Sequence, residues 1–258
     1  MKRVDLIQQQ HDVKIGQKCG VIEPNINEDC IFISEGEPIG FFIKNIDGKL
    51  KQFIDIAAKE FRSDNVPKSE MARGVSSEMM RKGIKNELSQ YSTIIGSVPP
   101  KPHMRRPYPT ISSVHNKPTA RTFIKAMLLA CKEAEQLIKD ILPEQHKKQL
   151  EVLKSTPKQW KFGNLFTSSI SNYNISAPFH QDNGNLKDTV NVIITKRRNS
   201  TGGNLYIPDY DACINQCDNS ILVYPAWRNI HGVTPIQKLK EDGYRNSLIF
   251  YPLKAFQK

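Results

Sequence analysis

The stretch Phe166-Thr-Ser-Ser-Ile-Ser-Asn-Tyr-Asn-Ile-Ser-Ala-Pro-Phe-His-Gln-Asp182 decides how the second half of the chain folds. Its opening, Phe166 to Tyr173, reads as a strand, the one that leads to His180-Gln-Asp182. Downstream, Val190 to Thr195, Asn204 to Ile207, Ile221 to Tyr224 and Asn246 to Tyr251 are short β-branched or aromatic runs separated by Asn, Asp, Gly and Pro clusters. Runs of that length divided by turn formers are strands of a sandwich or barrel. Beyond Lys154 only Ile236 to Glu241 keeps a helical reading open. From Trp160 onward the sequence therefore predicts an all-β unit, two short-stranded sheets face to face in a jelly roll, or double-stranded β-helix.

Upstream the pattern is mixed, which makes the class α+β overall. Cys30 to Ser34 and Ile39 to Ile43, divided by Glu35-Gly-Glu-Pro38, predict a hairpin. Leu50, Phe53, Ile54, Ala57 and Phe61 share one face of a helix from about Lys49 to Phe61, which Asp64 to Pro67 breaks. A longer helix runs from Thr119 to Leu142, where Phe123, Met127, Cys131, Ala134, Leu137, Ile138 and Ile141 form the apolar stripe. Pro143 ends it and opens a shorter helix to about Lys154. These helices would cover one sheet, as a layered domain requires. The expected organisation is an α+β flank over residues 1–118, with a basic proline-rich loop, and a helix-supported jelly-roll core over residues 119–258.

The chain has 258 residues, 38% of them hydrophobic, which is enough for a core and too apolar for a disordered chain. Its N-terminal residues have no apolar signal region, and its longest apolar run, Ala126 to Cys131, is far too short to span a bilayer. An intracellular protein with no membrane partner is expected, as a monomer. Five cysteines, Cys19, Cys30, Cys131, Cys213 and Cys217, are an odd number at low density and argue for reduced thiols. Cys213 and Cys217 could begin a zinc site, but no second Cys or His pair has matching spacing.

With 37 basic and 26 acidic residues the formal charge is +11, and it is unevenly placed. Between Glu87 and Glu133, 45 residues pass without one acid, while Lys101, Arg105, Arg106, Lys117, Arg121, Lys125 and Lys132 supply seven positive charges. Val98 to Pro109 contains five prolines and predicts an extended loop without regular ladder bonding. Lys101, Arg105, Arg106 and Lys117 can there reach phosphates, and Tyr108 can stack on a base. The alternative is a solvated loop whose prolines restrict the unfolded chain.

In an extended segment residues two apart point to one side, so His180 and Asp182 present an imidazole and a carboxylate to one point. His231, opening His231-Gly-Val-Thr-Pro235, would close the set from across the barrel. Two neutral imidazoles and one carboxylate form the facial triad that holds non-haem Fe(II) and leaves coordination positions open. Alone, the His-X-Asp spacing is a weak signal that chance readily supplies. Arg245-Asn-Ser247, 14 residues after the second His and at the head of the last strand, strengthens it, because a guanidinium grips a carboxylate bidentately. The competing reading is a core His with a surface Asp and a surface Arg.

These three motifs, His180-Gln-Asp182, His231-Gly232 and Arg245-Asn-Ser247, resemble those of the Fe(II)- and 2-oxoglutarate-dependent dioxygenases over about residues 160 to 258. Phe166 to Asn172, Asp182-Asn-Gly-Asn185, Gly202-Gly-Asn-Leu-Tyr-Ile-Pro208 and the His-Gly-Val-Thr-Pro run make the chain most similar to the TET/JBP branch, including its compact phage and algal members. The resemblance implies Fe(II) on His180, Asp182 and His231, and 2-oxoglutarate with its far carboxylate on Arg245 and Ser247. It further implies O₂ as co-reactant and, as substrate, the methyl group of 5-methylcytosine or thymine in DNA, flipped from the duplex. Asn172 and Asn174 would hydrogen-bond the cosubstrate or the base, or serve a turn or edge; Trp227 and Tyr224 would stack on the base or pack the core. Two other functions stay open on the same fold: a protein or small-molecule hydroxylase, and a non-catalytic jelly-roll binding module.

Overall fold

The computed structural model describes residues 1–71 and 88–257. The chain opens with β1 (Lys2–Asp5), β2 (Cys30–Ser34), β3 (Glu37–Ile43), helix α1 (Gly48–Arg62), β4 (Ser69–Glu70), β5 (Tyr91–Val98) and β6 (Thr110–Ile111). Helices α2 (Arg121–Ile141) and α3 (Pro143–Val152) precede β7 (Ser168–Tyr173), β8 (Ala177–His180), β9 (Asn191–Arg198), β10 (Ser200–Gly202) and β11 (Leu205–Ile207). The rest is β12 (Ala212–Ile214), β13 (Ser220–Tyr224), β14 (His231–Val233), β15 (Ile236–Lys238) and β16 (Tyr244–Tyr251).

A large sheet runs in the order β1-β2-β3-β13-β9-β16-β7-β5-β4, with β6 on β5, and a smaller one in the order β12-β11-β14-β8. The pairing is antiparallel except between β1 and β2. Two sheets with an N-terminal helical layer are the predicted jelly roll within an α+β fold. Strands from the first half belong to the same large sheet: β3 pairs with β13, and β5 with β7.

The layering follows from the two-residue period of a strand. On β9, β13 and β16, Val192, Ile194, Ile221, Val223, Leu248 and Phe250 enter the core under α1 and α2. Their neighbours Leu222 and Tyr224 turn to the space between the sheets, with Leu205, Ile207 and Ile214. The two helices approach closely because Ala57, Ala58, Ala126, Ala130 and Ala134 are small and buried, and Phe61 stacks on Phe123 at 5.9 Å. Glu135 of α2 is also buried; its carboxylate accepts the backbone N–H groups of Asn164 (2.6 Å) and Leu165 (2.9 Å) and the Asn164 amide (2.9 Å). It thereby fixes the turn that feeds β7. No helix among the described residues is long and apolar enough to cross a membrane.

Two local expectations are corrected. Ile236 to Glu241 does not hold a helix: Ile236–Lys238 is strand β15, paired with β10. Gly202, at φ +70°, lies so close to the next segment that a Cβ there would fall 1.8 Å from the Pro235 carbonyl oxygen, and this backbone contact imposes extended pairing. The proline-rich segment is not simply extended either. Lys101 and Arg106 form an antiparallel bridge around a 3₁₀ turn at Pro102–Met104, and Arg105, left-handed at φ 57°, closes it. Pro102 suits the first position of that turn because its fixed φ is already helical.

Candidate functional site

Strands β8 and β14 pair so that His231 faces His180 directly. The two imidazole centroids lie 4.4 Å apart, and His180 Nε2 is 3.7 Å from Asp182 Oδ1. One ligand atom from each of the three residues falls within 4.8 Å of the others. Among the described residues this is the one such group of three or more His, Cys, Asp or Glu.

The rings are held in one tautomer. His180 Nδ1 lies 2.8 Å from the Pro178 carbonyl and His231 Nδ1 3.0 Å from that of Asn229. A carbonyl only accepts, so both Nδ1 atoms carry the proton and both Nε2 lone pairs are left for a metal. Burial and the nearby His180 ring lower the pKa of His231, which keeps it neutral. The Asp182 carboxylate is oriented by Asn185 and Asn191, whose amides donate to Oδ2 at 3.3 and 3.2 Å. Tyr224, fully buried, donates to Asn229 Oδ1 at 2.9 Å and so braces the turn before His231. This donor set of two neutral imidazoles and one carboxylate fits a divalent iron.

The triad opens into a cavity of about 320 Å³ whose other wall is β16, with Arg245, Ser247, Ile249 and Tyr251, and β7, with Asn172 opposite Ser247. Arg245 is 2% exposed, and its Nη2 donates to Gln216 Oε1 at 2.5 Å. Burial and Arg197, its cross-strand partner, push its pKa down to about 9. Gly203 makes room for this side chain: a Cβ there would lie 2.3 Å from Arg245 Cδ. Arg245 Nε, Gln216 Nε2 and Thr195 Oγ1 are buried without a hydrogen-bond partner. Buried polar groups rarely stay unpaired. A confined cation surrounded by unmet donors is a receptor for a carboxylate, and it fits the far end of 2-oxoglutarate.

The remaining sequence candidates divide. Asn174 is structural: at φ 53° it gives its Oδ1 to the Arg245 N–H (2.9 Å) and its amide to the Ser89 carbonyl (3.2 Å). Trp227 donates its indole N–H to the Thr189 carbonyl at 2.8 Å, outside the cavity. Arg106 is tied into its own loop, with Nη1 on Thr110 (2.8 Å) and Nη2 on the Pro99 carbonyl (2.5 Å). Arg105, Tyr108 and Lys117 are exposed, and Lys101 is half-buried. The loop leaves the large sheet at the end where Gly96 pairs with Ser168 and Ser168 with Tyr251, and Tyr251 lines the cavity. Cys213 and Cys217 turn to different carbonyls, those of Ile22 and Lys44, and burial raises both thiols, Cys213 to about 12. Gln216, Asn191 and Asn229 escape sequence reading, because a single Asn or Gln in a loop or at a strand end has no periodic signature; Asn185 is visible only as a turn residue.

A family model, Tet_JBP, described as the oxygenase domain of the 2OGFeDO superfamily, matches residues 100–254. Among solved structures, that of NgTET1 in complex with 5mC DNA superposes with a TM-score of 0.61 at 14% identity, over 96% of this chain and 84% of that one. An oxidoreductase of the 2OG-Fe(II) oxygenase family from Burkholderia pseudomallei gives a TM-score of 0.42 at 15% identity, over 78% of each chain. No curated protein matches.

Proposed function

The chain belongs to the Tet_JBP oxygenase-domain family and is a dioxygenase of the Fe(II)- and 2-oxoglutarate-using superfamily; from that premise we propose that it oxidises the methyl group of a 5-methylpyrimidine in DNA, 5-methylcytosine before thymine. The observation that carries this reading is the placement of His180, Asp182, His231 and Arg245 on one cavity at whose end the acid-free basic loop leaves the sheet. The likeness of the fold to a structure solved with 5mC DNA supports it.

In this reading His180, Asp182 and His231 hold Fe(II), while Arg245 and Ser247 take the far carboxylate of 2-oxoglutarate beside Asn172. Metal, cosubstrate and O₂ supply, when bound, an oxidant able to put oxygen into an unactivated methyl C–H bond. The protein's own part is positional. Pro178 and Asn229 fix both imidazole tautomers, Asn185 and Asn191 hold the carboxylate, and Ile193, Leu205 and Ile249 line the cavity with apolar surface that excludes water. A pyrimidine inside a duplex cannot reach this cavity and must be flipped out. In this reading Arg105 and Lys117, both exposed, would hold the flanking phosphates, with Lys101 and Arg106 lending charge and Tyr108 a face for stacking.

The test is nucleoside mass spectrometry after incubating the Fe(II)-loaded protein with 2-oxoglutarate and duplexes that contain or lack 5-methylcytosine. The expected result is 5-hydroxymethylcytosine with matching succinate. Succinate formation with no change in any nucleoside would overturn the DNA reading.

A further inference from the structure

We propose that Gln216 belongs to the cosubstrate site, its amide nitrogen donating to the far carboxylate of 2-oxoglutarate while its amide oxygen aims Arg245. The proposal rests on the reading of Arg245 as the cosubstrate anchor.

Gln216 lies between β12 and β13, 1% exposed, and lines the same cavity as Arg245 and the triad. Its backbone is fixed on both sides: the N–H donates to Asn204 Oδ1 at 3.1 Å, and the carbonyl accepts from Arg197 Nη1 at 3.2 Å. The side-chain orientation is fixed too. A guanidinium has donors only, so the group 2.5 Å from Arg245 Nη2 must be the amide oxygen. The amide nitrogen is then left over, buried with no partner.

Arg245 Nε and Thr195 Oγ1 are in the same condition, and Thr195 is the cross-strand neighbour of Ser247. Among the described residues the one carboxylate on the cavity wall, Asp182, is already engaged by Asn185 and Asn191. What completes this end must therefore come from outside, be rich in acceptors and carry negative charge. A carboxylate, with four lone-pair positions, matches two orphaned N–H groups and two hydroxyls. Gln216 would then help to separate a dicarboxylate 2-oxo acid from a monocarboxylate one.

Calorimetric titration of the Mn(II)-loaded protein with 2-oxoglutarate, and in parallel with 2-oxobutyrate, which lacks the far carboxylate, tests this. Gln216→Leu should weaken 2-oxoglutarate roughly tenfold or more and leave 2-oxobutyrate within about twofold, as loss of one hydrogen bond to a charged group requires. Gln216→Glu, nearly isosteric, should weaken 2-oxoglutarate further, because its own carboxylate pairs with Arg245; it also carries the test if the Leu variant does not fold. Unchanged 2-oxoglutarate affinity in the Gln216 variants, or equal loss for both ligands, overturns the proposal. Arg245→Lys separates the two readings: if it weakens 2-oxoglutarate while the Gln216 variants do not, only the role of Gln216 falls. If it too has no effect, the anchor reading falls with it.

Discussion

His231 stands opposite His180 across the β8–β14 pair, so the separation of the two imidazoles is set by backbone register. A site on paired strands is held more rigidly than one on loops. The carboxylate has less support, since Asp182 lies just beyond β8 and depends on Asn185 and Asn191 for its orientation.

Metal affinity should follow that difference. His231→Ala and Asp182→Ala should purify without bound Fe(II) or Mn(II), since two ligands do not hold the facial geometry. Asn191→Ala should keep the ligands and lose about 10- to 100-fold in affinity, as is usual when a group orienting a ligand is removed. Mn(II) titration followed by electron paramagnetic resonance measures both.

Gly203 provides a test of the anchor that removes no polar group. A Cβ at this position would lie 2.3 Å from Cδ and 2.6 Å from Nε of Arg245, at a φ of +68° that L side chains avoid. Gly203→Ala should displace the guanidinium and raise KM for 2-oxoglutarate by roughly an order of magnitude, about 1.4 kcal/mol, with Mn(II) affinity unchanged. An unaltered KM would show that the arginine relaxes without cost.

The buried carboxylate of Glu135 predicts a stability effect far from the cavity. Glu135→Ala removes three hydrogen bonds from nitrogen donors and a weaker one from Cys131 Sγ, and strands the Asn164 and Leu165 N–H groups. The loss should be about 3 kcal/mol, seen as a lower urea midpoint at constant slope. Glu135→Gln, which keeps an acceptor, should lose less.

On the DNA side, Arg105→Ala with Lys117→Ala should lower the slope of log K against log salt by about 2, as each phosphate contact releases roughly 0.9 of a counterion. Arg106→Ala should instead act on the loop itself, because Arg106 bonds Thr110 and the Pro99 carbonyl. Fluorescence anisotropy over a salt series, with thermal melting alongside, distinguishes the two behaviours.

His115 should make stability depend on acid. Its Nε2 accepts the Gly96 N–H at 2.8 Å, which requires the neutral ring, and burial lowers its pKa from 6.5. As pH falls below 6.5 the unfolded chain takes up the proton first, so this contribution is whole above that value and is lost as pH drops towards the folded-state pKa. Urea titrations above and below it should show declining stability, with a shallower decline in His115→Gln; His146 and His231, shifted the same way by burial, contribute in the same direction.

The parts of this fold legible in the sequence are those with a period. The stripe from Phe123 to Ile138 marks α2, and the β-branched runs at Val192 and Ile221 mark the central strands, because burial on a helix face or in a sheet leaves a repeating trace. The candidate triad of His180, Asp182 and His231 was legible for a different reason: His-Gln-Asp, the later His231-Gly and Arg245-Asn-Ser form together a pattern that the two-residue spacing alone does not. Strand β5, Tyr91–Val98, passed unseen: Ser, Thr and Gly interrupt its apolar pattern, and its pairing with β7 is a tertiary fact. The amides that steer the site were hidden too, because Gln216 and Asn191 acquire their roles only when folding brings Arg245 and Asp182 beside them.

The place of β3 in the large sheet also bears on how the chain reaches its folded state. Its hydrogen-bonding partner on the jelly-roll side is β13, with Ile43 opposite Ile221, so a hairpin made early in synthesis has no neighbour there until most of the chain has emerged. Pairings this distant along the sequence slow folding, because the loop between them must close before any contact rewards it. Until then the apolar edge of β3, with Phe41 and Phe42, is open to other strands, including those of other nascent chains. Recovery from denaturant should accordingly be slow and concentration-sensitive, and yield in cells should rise with lower expression temperature or added chaperone.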